Sequence, residues 1–448
     1  MEVHNLFSHF HSHDVPEEKL IIHGGKELSG HVTISGSKNS SLALLAATLC
    51  CNGISKFQNV PVSLSDIQKM ILVLQSLGAR FEYNRINGEM FVETNGVVSA
   101  EPDHVAVSEI RGGFFVLGPL LSRFGEAVVA LPGGCDIGAR PVDLYIRGLE
   151  ALGGLVEIKC GKGRRLRGGS FYLDYPSVGA TNTLMMAATL AHGVTKLSNV
   201  AQEPEVNDLA QFLIKCGAEI DGAGTSNLLI TGKHKLYGCD EHAIMPDRIE
   251  AGTFAIAAAI TRSCLSISPV VPSHLTSLLD KLKSAGCRIT QTAHDTIHVS
   301  GICKENGIDR FKGTGIHIQT GPYPEFPTDL QPQMLAFLTT CNGQSVVRET
   351  VFEGRMGHVR ELQKMGAKIQ VYGNSATIYG GSNLCGSSGV LAHDLRGGAS
   401  LVLAGLAASG TTEIDGVFHI DRGYEDLKGK LQSLGANVKR SSFNYYNI

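Results

Sequence analysis

A single cysteine lies in an unusual run of small residues. In Leu131-Pro132-Gly133-Gly134-Cys135-Asp136-Ile137-Gly138-Ala139-Arg140-Pro141-Val142-Asp143, three glycines surround Cys135 within six residues, and Arg140 follows close behind. Backbone that rich in glycine predicts a mobile loop able to act as a lid. The thiolate is the reactive form of cysteine and a neighbouring guanidinium favours it, so Cys135 is a candidate nucleophile or proton donor. Spacing alone leaves open an incidental loop cysteine.

A second set of polar residues opens a series of apolar, small-residue stretches. The openings are Ser37-Lys38-Asn39, Arg111-Gly112-Gly113, Ser177-Val178-Gly179, Asp247-Arg248, Thr328-Asp329 and Asp394-Leu395-Arg396. If each stretch is a helix, its first N–H groups and the positive end of its dipole make an anion site. Ser, Thr and Asp there read equally well as ordinary N-caps. Lys38, Arg111 and Arg396 do not, because a cation beside a positive helix end is unfavourable until an anion arrives. The chemistry predicted is capture of phosphate and carboxylate groups.

The elements that must carry these residues form a repeat. Leu77-Gly78-Ala79, Leu152-Gly153-Gly154, Cys216-Gly217-Ala218, Ala285-Gly286-Cys287, Met365-Gly366-Ala367 and Leu434-Gly435-Ala436 are one phrase used six times. Each glycine closes an amphipathic helical pattern, such as Ile67, Met70, Ile71 and Leu74, and precedes a strand start such as Phe81, Ile220 or Ile369. The apolar stretches Ser40–Cys51, Gly113–Leu121, Thr183–Ala191, Gly252–Ile260, Gln333–Thr340 and Ala399–Ala408 lie between the phrases and predict helices buried on every side. Each unit of about 70 residues is expected to hold two helices and several strands. Three units per domain, with buried helices inside and sheets outside, is the predicted α/β architecture.

Composition narrows the function classes. The 448 residues carry 39 Lys plus Arg against 42 Asp plus Glu, a net charge of −3, which disfavours nucleic-acid binding. Apolar residues make up 43% and charged residues 18%, enough to bury large cores. Apolar runs stay well short of the roughly 20 residues a membrane helix needs, so no membrane span is predicted. The His-rich start lacks an apolar signal core, and a cytoplasmic location follows. The 11 cysteines show no framework spacing and no CxxC pair, so they read as thiols, mostly buried. The HFHSH string at 9–13 and the basic run 162–167 read as a surface tail and a solvated loop, with metal or diphosphate binding as their sharper alternatives.

The strings SGSKNSSLALLAA (35–47), LPGGCDIGARPVDL (131–144), PSVGAT (176–181), MPDRIEAGT (245–253), FPTDLQPQ (326–333), VFEGRMGHVRELQKMGA (351–367), DLRGGASLVLAG (394–405) and HIDRGYE (419–425) resemble the UDP-N-acetylglucosamine 1-carboxyvinyltransferases, the enolpyruvyl transferases that open peptidoglycan synthesis. The resemblance covers about residues 20–440. It implies two inside-out α/β barrel domains: residues 20–37 with 247–448, and residues 38–246 carrying the Cys135 loop, preceded by a flexible extension 1–19. It also implies two small-molecule substrates, phosphoenolpyruvate and UDP-N-acetylglucosamine, with no cofactor and no metal.

By motif match, Cys135 is the proton donor and the thiol that phosphoenolpyruvate or fosfomycin would alkylate. Asp329 contacts the attacking hydroxyl, Lys38 and Asn39 bind phosphoenolpyruvate, and Arg140, Arg396 and Arg422 clamp phosphate and carboxylate. Arg111, Arg140, Pro141, Val142, Asp143, Leu144, Ser177, Val178, Gly179 and Val351 match contacts to the nucleotide sugar. Without the family, Pro141, Val142 and Val351 read as packing residues, and Asp143 and Asp394 as structural acceptors.

Some residues depart from the family pattern. Gly112-Gly113 replaces the usual Ala-Ser, and Gly397-Gly398 repeats the change, which predicts helix starts looser by about 1 kcal/mol per glycine. Ser40 and Ser41 stand where Ala is common, and Gly354 and Gly357 replace larger residues. Two other readings are a 5-enolpyruvylshikimate-3-phosphate synthase, against which Cys135 and the Ser37-Lys38-Asn39 string argue, and a catalytically silent UDP-sugar sensor. Oligomeric state is not readable from the chain.

Overall fold

All six glycine phrases close their helices in one way. The computed structural model describes residues 18–135, 137–138, 140–154, 166–301, 304–305, 308–309 and 313–442; the His-rich string at 9–13, Asp136, Ala139 and residues 162–165 of the basic run lie outside these. Gly78, Gly153, Gly217, Gly286, Gly366 and Gly435 all have φ between +78° and +105°. The next residue donates its N–H to the carbonyl of a leucine five positions back, at 2.9–3.1 Å: Ala79 to Leu74, Gly154 to Leu149, Ala218 to Leu213, Cys287 to Leu282, Ala367 to Leu362 and Ala436 to Leu431. This closure needs a left-handed residue, which is why glycine recurs.

Five four-stranded sheets share one order, an edge strand parallel to its neighbour followed by two antiparallel pairings. One runs Val390–Leu391, Thr411–Asp415, Glu18–His23, Asn437–Ser442. The others are built on Ile54–Gln58, Val194–Ser198, Cys264–Ser268 and Gln344–Arg348. Among the described residues no strand lies between Glu93 and Ser170; residues 155–165, which follow the Gly153 phrase where the other units place their strands, lie outside the described residues.

The helices Lys38–Ala47, Val178–Thr189, Arg248–Ile260, Gln331–Thr339 and Leu395–Ala407 are buried along nearly their whole length. The sixth differs from expectation, because a 3₁₀ turn at Arg111–Val116 precedes a half-buried helix Leu117–Phe124. Pro119 in its first turn cannot donate to a carbonyl upstream, so α-helical bonding does not extend back through Arg111–Val116. Gly112 and Gly113 are tightly packed rather than loose. A Cβ on Gly113 would come within 2.8 Å of the Val107 carbonyl oxygen, and one on Gly112 within 3.1 Å of Leu42 Cδ1.

Two hydrophobic cores result. One joins residues 20–34 to 249–438, and the other runs from Leu42 to Ile244. The chain crosses between them twice, side by side: Gly36 bridges Pro246, Ser37 N–H donates to the Met245 carbonyl at 2.8 Å, and Asp247 N–H to the Ser35 carbonyl at 2.9 Å. Among the described residues no helix is long and apolar enough to cross a membrane.

Candidate active site

The crossing strands set the first residues of the site. Ser37 caps Lys38–Ala47, its hydroxyl accepting from Ser40 N–H, and Lys38 N–H donates to Asp247 Oδ2 at 3.0 Å. The start of one domain's helix is thus pinned to the connector that leads into the other. Lys38 Nζ reaches Asp66 Oδ2 at 3.2 Å, and Arg422 Nε reaches Asp66 Oδ1 at 2.8 Å from the opposite domain. Burial alone would raise the Asp66 carboxyl, but the charges of Lys38 and Arg422 hold it below the usual carboxylate range. Arg422 Nη1 lies 3.5 Å from Cys135 Sγ. The guanidinium hydrogen-bonded to the thiol is therefore Arg422, while Arg140 interacts with it through charge.

The loop is docked. The Ile137 carbonyl accepts from Gly354 N–H at 3.1 Å, and Ile137 is buried. Gly138, at φ +117°, lies against Glu353, and a Cβ on Gly354 would come within 2.8 Å of Gly138 N. The glycine at 354 is what lets the two chains approach. The loop predicted to be mobile is thus seen in a closed arrangement, held at Cys135 and at Ile137 by the other domain.

Asp329 sits in the 3₁₀ turn Thr328–Leu330 ahead of Gln331–Thr339. Its Oδ1 accepts from Arg355 Nη1 at 2.8 Å and its Oδ2 from Arg396 Nη2 at 3.0 Å. Burial would raise this carboxyl, but Arg396 and Arg355, with Lys38 adding its charge, hold it far below the usual range, so Asp329 is ionised. Arg355 also donates to Thr328 Oγ1 and lies over the Phe352 ring at 5.1 Å, with Arg140 5.4 Å from the same ring. Burial, and then the charge of Arg111, pushes Arg140 down to about 10. Arg111 opens its 3₁₀ turn and donates from Nη2 to the Arg140 carbonyl.

The remaining expected residues lie around this centre. Asn39 follows Lys38 in the first helical turn. Pro141 and Val142 lead into the helix Asp143–Ala151, which holds Leu144; Asp143 is exposed, 3.8 Å from Arg147. Ser177 caps Val178–Thr189, which begins with Val178 and Gly179. Val351 N–H donates to the buried Glu349. Asp394 accepts from Arg396 N–H and Gly397 N–H, a plain N-cap as its bland reading held.

Two residues escaped sequence reasoning. Asp66, in the first turn of Ser65–Ser76, looks like any acid placed against a helix dipole. Arg355 stood inside a quoted motif, but nothing in its spacing distinguished it from a surface cation. A 520 Å³ cleft lined by Cys50, Asn52, Arg123, His234 and Lys235 lies beyond the far end of Lys38–Ala47 and contains none of the site residues.

Six cations (Lys38, Arg111, Arg140, Arg355, Arg396 and Arg422) thus surround two carboxylates and one thiol. Such an enclosure suits an anionic substrate whose phosphate and carboxylate need simultaneous partners. The thiol can pass a proton, and the ionised Asp329 can take a hydrogen bond from a hydroxyl.

Comparison with known proteins points the same way. A sequence model of the EPSP synthase (3-phosphoshikimate 1-carboxyvinyltransferase) family matches residues 22–431. A UDP-N-acetylglucosamine 1-carboxyvinyltransferase of Gloeobacter violaceus is 49% identical over 425 residues, covering 94% of this chain and 90% of that one. The protein of the same name from Synechocystis sp. is 48% identical, covering 94% of each. Among solved structures, the enolpyruvyl transferase NikO from Streptomyces tendae superposes with a TM-score of 0.85 at 24% identity, over 96% of this chain and 100% of that one. EPSP synthase from Acinetobacter baumannii superposes at 0.72 with 20% identity, over 95% and 100%. The last two speak for the fold alone.

Proposed function

The chain belongs to the UDP-N-acetylglucosamine 1-carboxyvinyltransferase family, and from that premise we propose that it transfers the enolpyruvyl group of phosphoenolpyruvate to the 3-hydroxyl of UDP-N-acetylglucosamine, releasing phosphate, in the step that opens peptidoglycan synthesis. The observation that carries this reading is the convergence of Cys135, on a loop of residues 38–246 that packs against the core of the other domain, with Asp329 of that domain on one enclosure of cations.

In the addition step the sugar hydroxyl gives its proton to Asp329 as its oxygen bonds to the central carbon of phosphoenolpyruvate, and the methylene carbon takes a proton from Cys135, leaving a thiolate. In the elimination step that carbon returns a proton to the Cys135 thiolate, the double bond re-forms and the C–O bond to phosphate breaks, the phosphate leaving with the proton that Asp329 had taken. Lys38, Arg140, Arg396 and Arg422 hold the phosphate and carboxylate through both steps, with Asn39 beside Lys38. Arg guanidinium groups suit this because they stay charged and bond oxyanions in pairs. Asp329 orients the attacking hydroxyl. Two guanidiniums keep it a weak base, so it becomes a better proton acceptor when substrate draws Arg396 or Arg355 away. Arg111, Pro141, Val142, Asp143, Leu144, Ser177, Val178, Gly179 and Val351 form the surface for the nucleotide sugar.

The two cores support a division into residues 20–37 with 247–448 and residues 38–246. Both substrates are soluble metabolites, which supports a cytoplasmic location. The test is phosphate release from phosphoenolpyruvate with UDP-N-acetylglucosamine, and separately with shikimate 3-phosphate, each with and without fosfomycin. Release only with the sugar, abolished by fosfomycin, is expected. Release with shikimate 3-phosphate, or sugar binding without turnover, would overturn the reading.

A further inference from the structure

We propose that Tyr424 is a positioning residue that joins the Cys135 side of the site to the Asp329 side. The inference rests on the function proposed above. Tyr424 is 2% exposed and lies two residues beyond Arg422, on the same helical turn: Gly423 and Tyr424 N–H both donate to the Ile420 carbonyl, at 3.1 and 3.2 Å. Arg422 points into the cleft, toward Asp66 and Cys135. Tyr424 points the other way, among the starts of the three buried helices of its own domain.

There it grips Asp329 from two directions. Its ring lies 5.4 Å from the Arg396 guanidinium, and Arg396 holds the Asp329 carboxylate. Its hydroxyl oxygen accepts from Gln333 Nε2 at 3.0 Å, and the same amide nitrogen donates to the Asp329 backbone carbonyl at 3.0 Å. The hydroxyl also meets Thr253 Oγ1 at 2.9 Å. Thr253 gives its own proton to the Ile249 carbonyl, so the proton between them comes from Tyr424. Tyr424, Gln333, Thr253 and Arg396 are all buried, and one phenol thus ties Arg248–Ile260, Gln331–Thr339 and Leu395–Ala407 together within their first two turns.

A displacement of Arg422 as the domains close therefore reaches Asp329 through a short, rigid turn, at both its side chain and its backbone. No part of Tyr424 itself faces the reacting groups.

The experiment compares Tyr424→Phe, Gln333→Met and their double variant, with circular dichroism to establish that each is folded. Tyr424→Phe keeps the ring over Arg396 and cuts the hydroxyl link. Gln333→Met cuts the same link from the other end. Each is expected to lower kcat roughly tenfold, the effect of a lost buried hydrogen bond expressed as misplacement, with little change in KM for either substrate. The double variant is expected to lose less than the product of the two single losses, because both variants break the hydroxyl–amide bond they share. Tyr424→Leu, which also removes the ring, is expected to move the acid limb of the kcat profile to higher pH as Arg396 loosens from Asp329. An unchanged kcat in a folded Tyr424→Phe or Gln333→Met enzyme, or losses that multiply in the double variant, overturns the inference. A wild-type enzyme without sugar-dependent phosphate release would overturn the parent reading instead.

Discussion

Arg422 reaches from one domain to place its Nε 2.8 Å from Asp66 Oδ1 in the other. The Asp66 side chain is 4% exposed and also holds Lys38 at 3.2 Å, so one buried carboxylate serves the two cations proposed to hold phosphoenolpyruvate. Asp66→Asn leaves both without their counter-charge. Breaking a buried pair from one side costs about 3 kcal/mol or more. A fall of that size in unfolding free energy, with a rise in KM for phosphoenolpyruvate, is expected in denaturant titration and steady-state kinetics.

Cysteine variants separate chemistry from packing. Cys135→Ser is expected to slow turnover by roughly 100-fold or more, the usual contribution of a positioned acid. Cys264 is exposed, and Cys50 is buried with its thiol pushed up to about 12 by that burial. Cys264→Ser and Cys50→Ser should retain turnover per folded molecule, Cys50→Ser with some loss of stability. A fully active Cys135→Ser would mean that another group protonates the methylene carbon.

The crossing segment carries a pH dependence. Glu250 is 1% exposed, bonded to Lys430 Nζ at 2.6 Å and to Ser35 N–H at 2.8 Å. Burial raises its carboxyl from 4.5 to about 7 despite Lys430. The folded state therefore binds this proton more tightly than the unfolded state. The contribution to stability is full below 4.5 and is lost as pH rises to about 7. Removing the titrating group in Glu250→Gln should flatten the fall in Tm between pH 5 and pH 8; an unchanged slope would assign the dependence elsewhere.

The glycine pair beside Arg111 gives a packing test. Gly113→Ala must displace the Val107 backbone, whereas Gly112→Ala meets only the Leu42 side chain. The first is expected to destabilise by about 1–3 kcal/mol, the usual cost of overpacking, and the second by less. Thermal unfolding of the two single variants decides this. Equal behaviour would show that backbone freedom, not space, governs both positions.

The parts of the fold readable from the chain are those where one residue type has no substitute. Gly78 and its five counterparts stood out because only a left-handed residue completes their closure. The starts at Ser37, Ser177, Asp247 and Asp394 were readable because short polar side chains cap helices. What escaped depends on partners far along the chain. Asp66 meets Arg422 across 356 positions, and no local pattern encodes that. For the same reason sequence proximity offered Cys135 only Arg140, whose charge does interact with the thiol, and the fold added Arg422.

The double crossing at Gly36 and Pro246 governs how the molecule is made. Glu18–His23 is synthesised before the whole of the Leu42–Ile244 core, and its partners Thr411–Asp415 and Asn437–Ser442 after it. The middle domain holds its whole core between Leu42 and Ile244 and can fold as it emerges. Throughout that time Glu18–His23 is an unpaired strand, open to the wrong neighbour. The arrangement that aligns Lys38 with Asp247 thus makes one domain wait for the other, since its sheet closes only when Thr411–Asp415 and Asn437–Ser442 reach Glu18–His23.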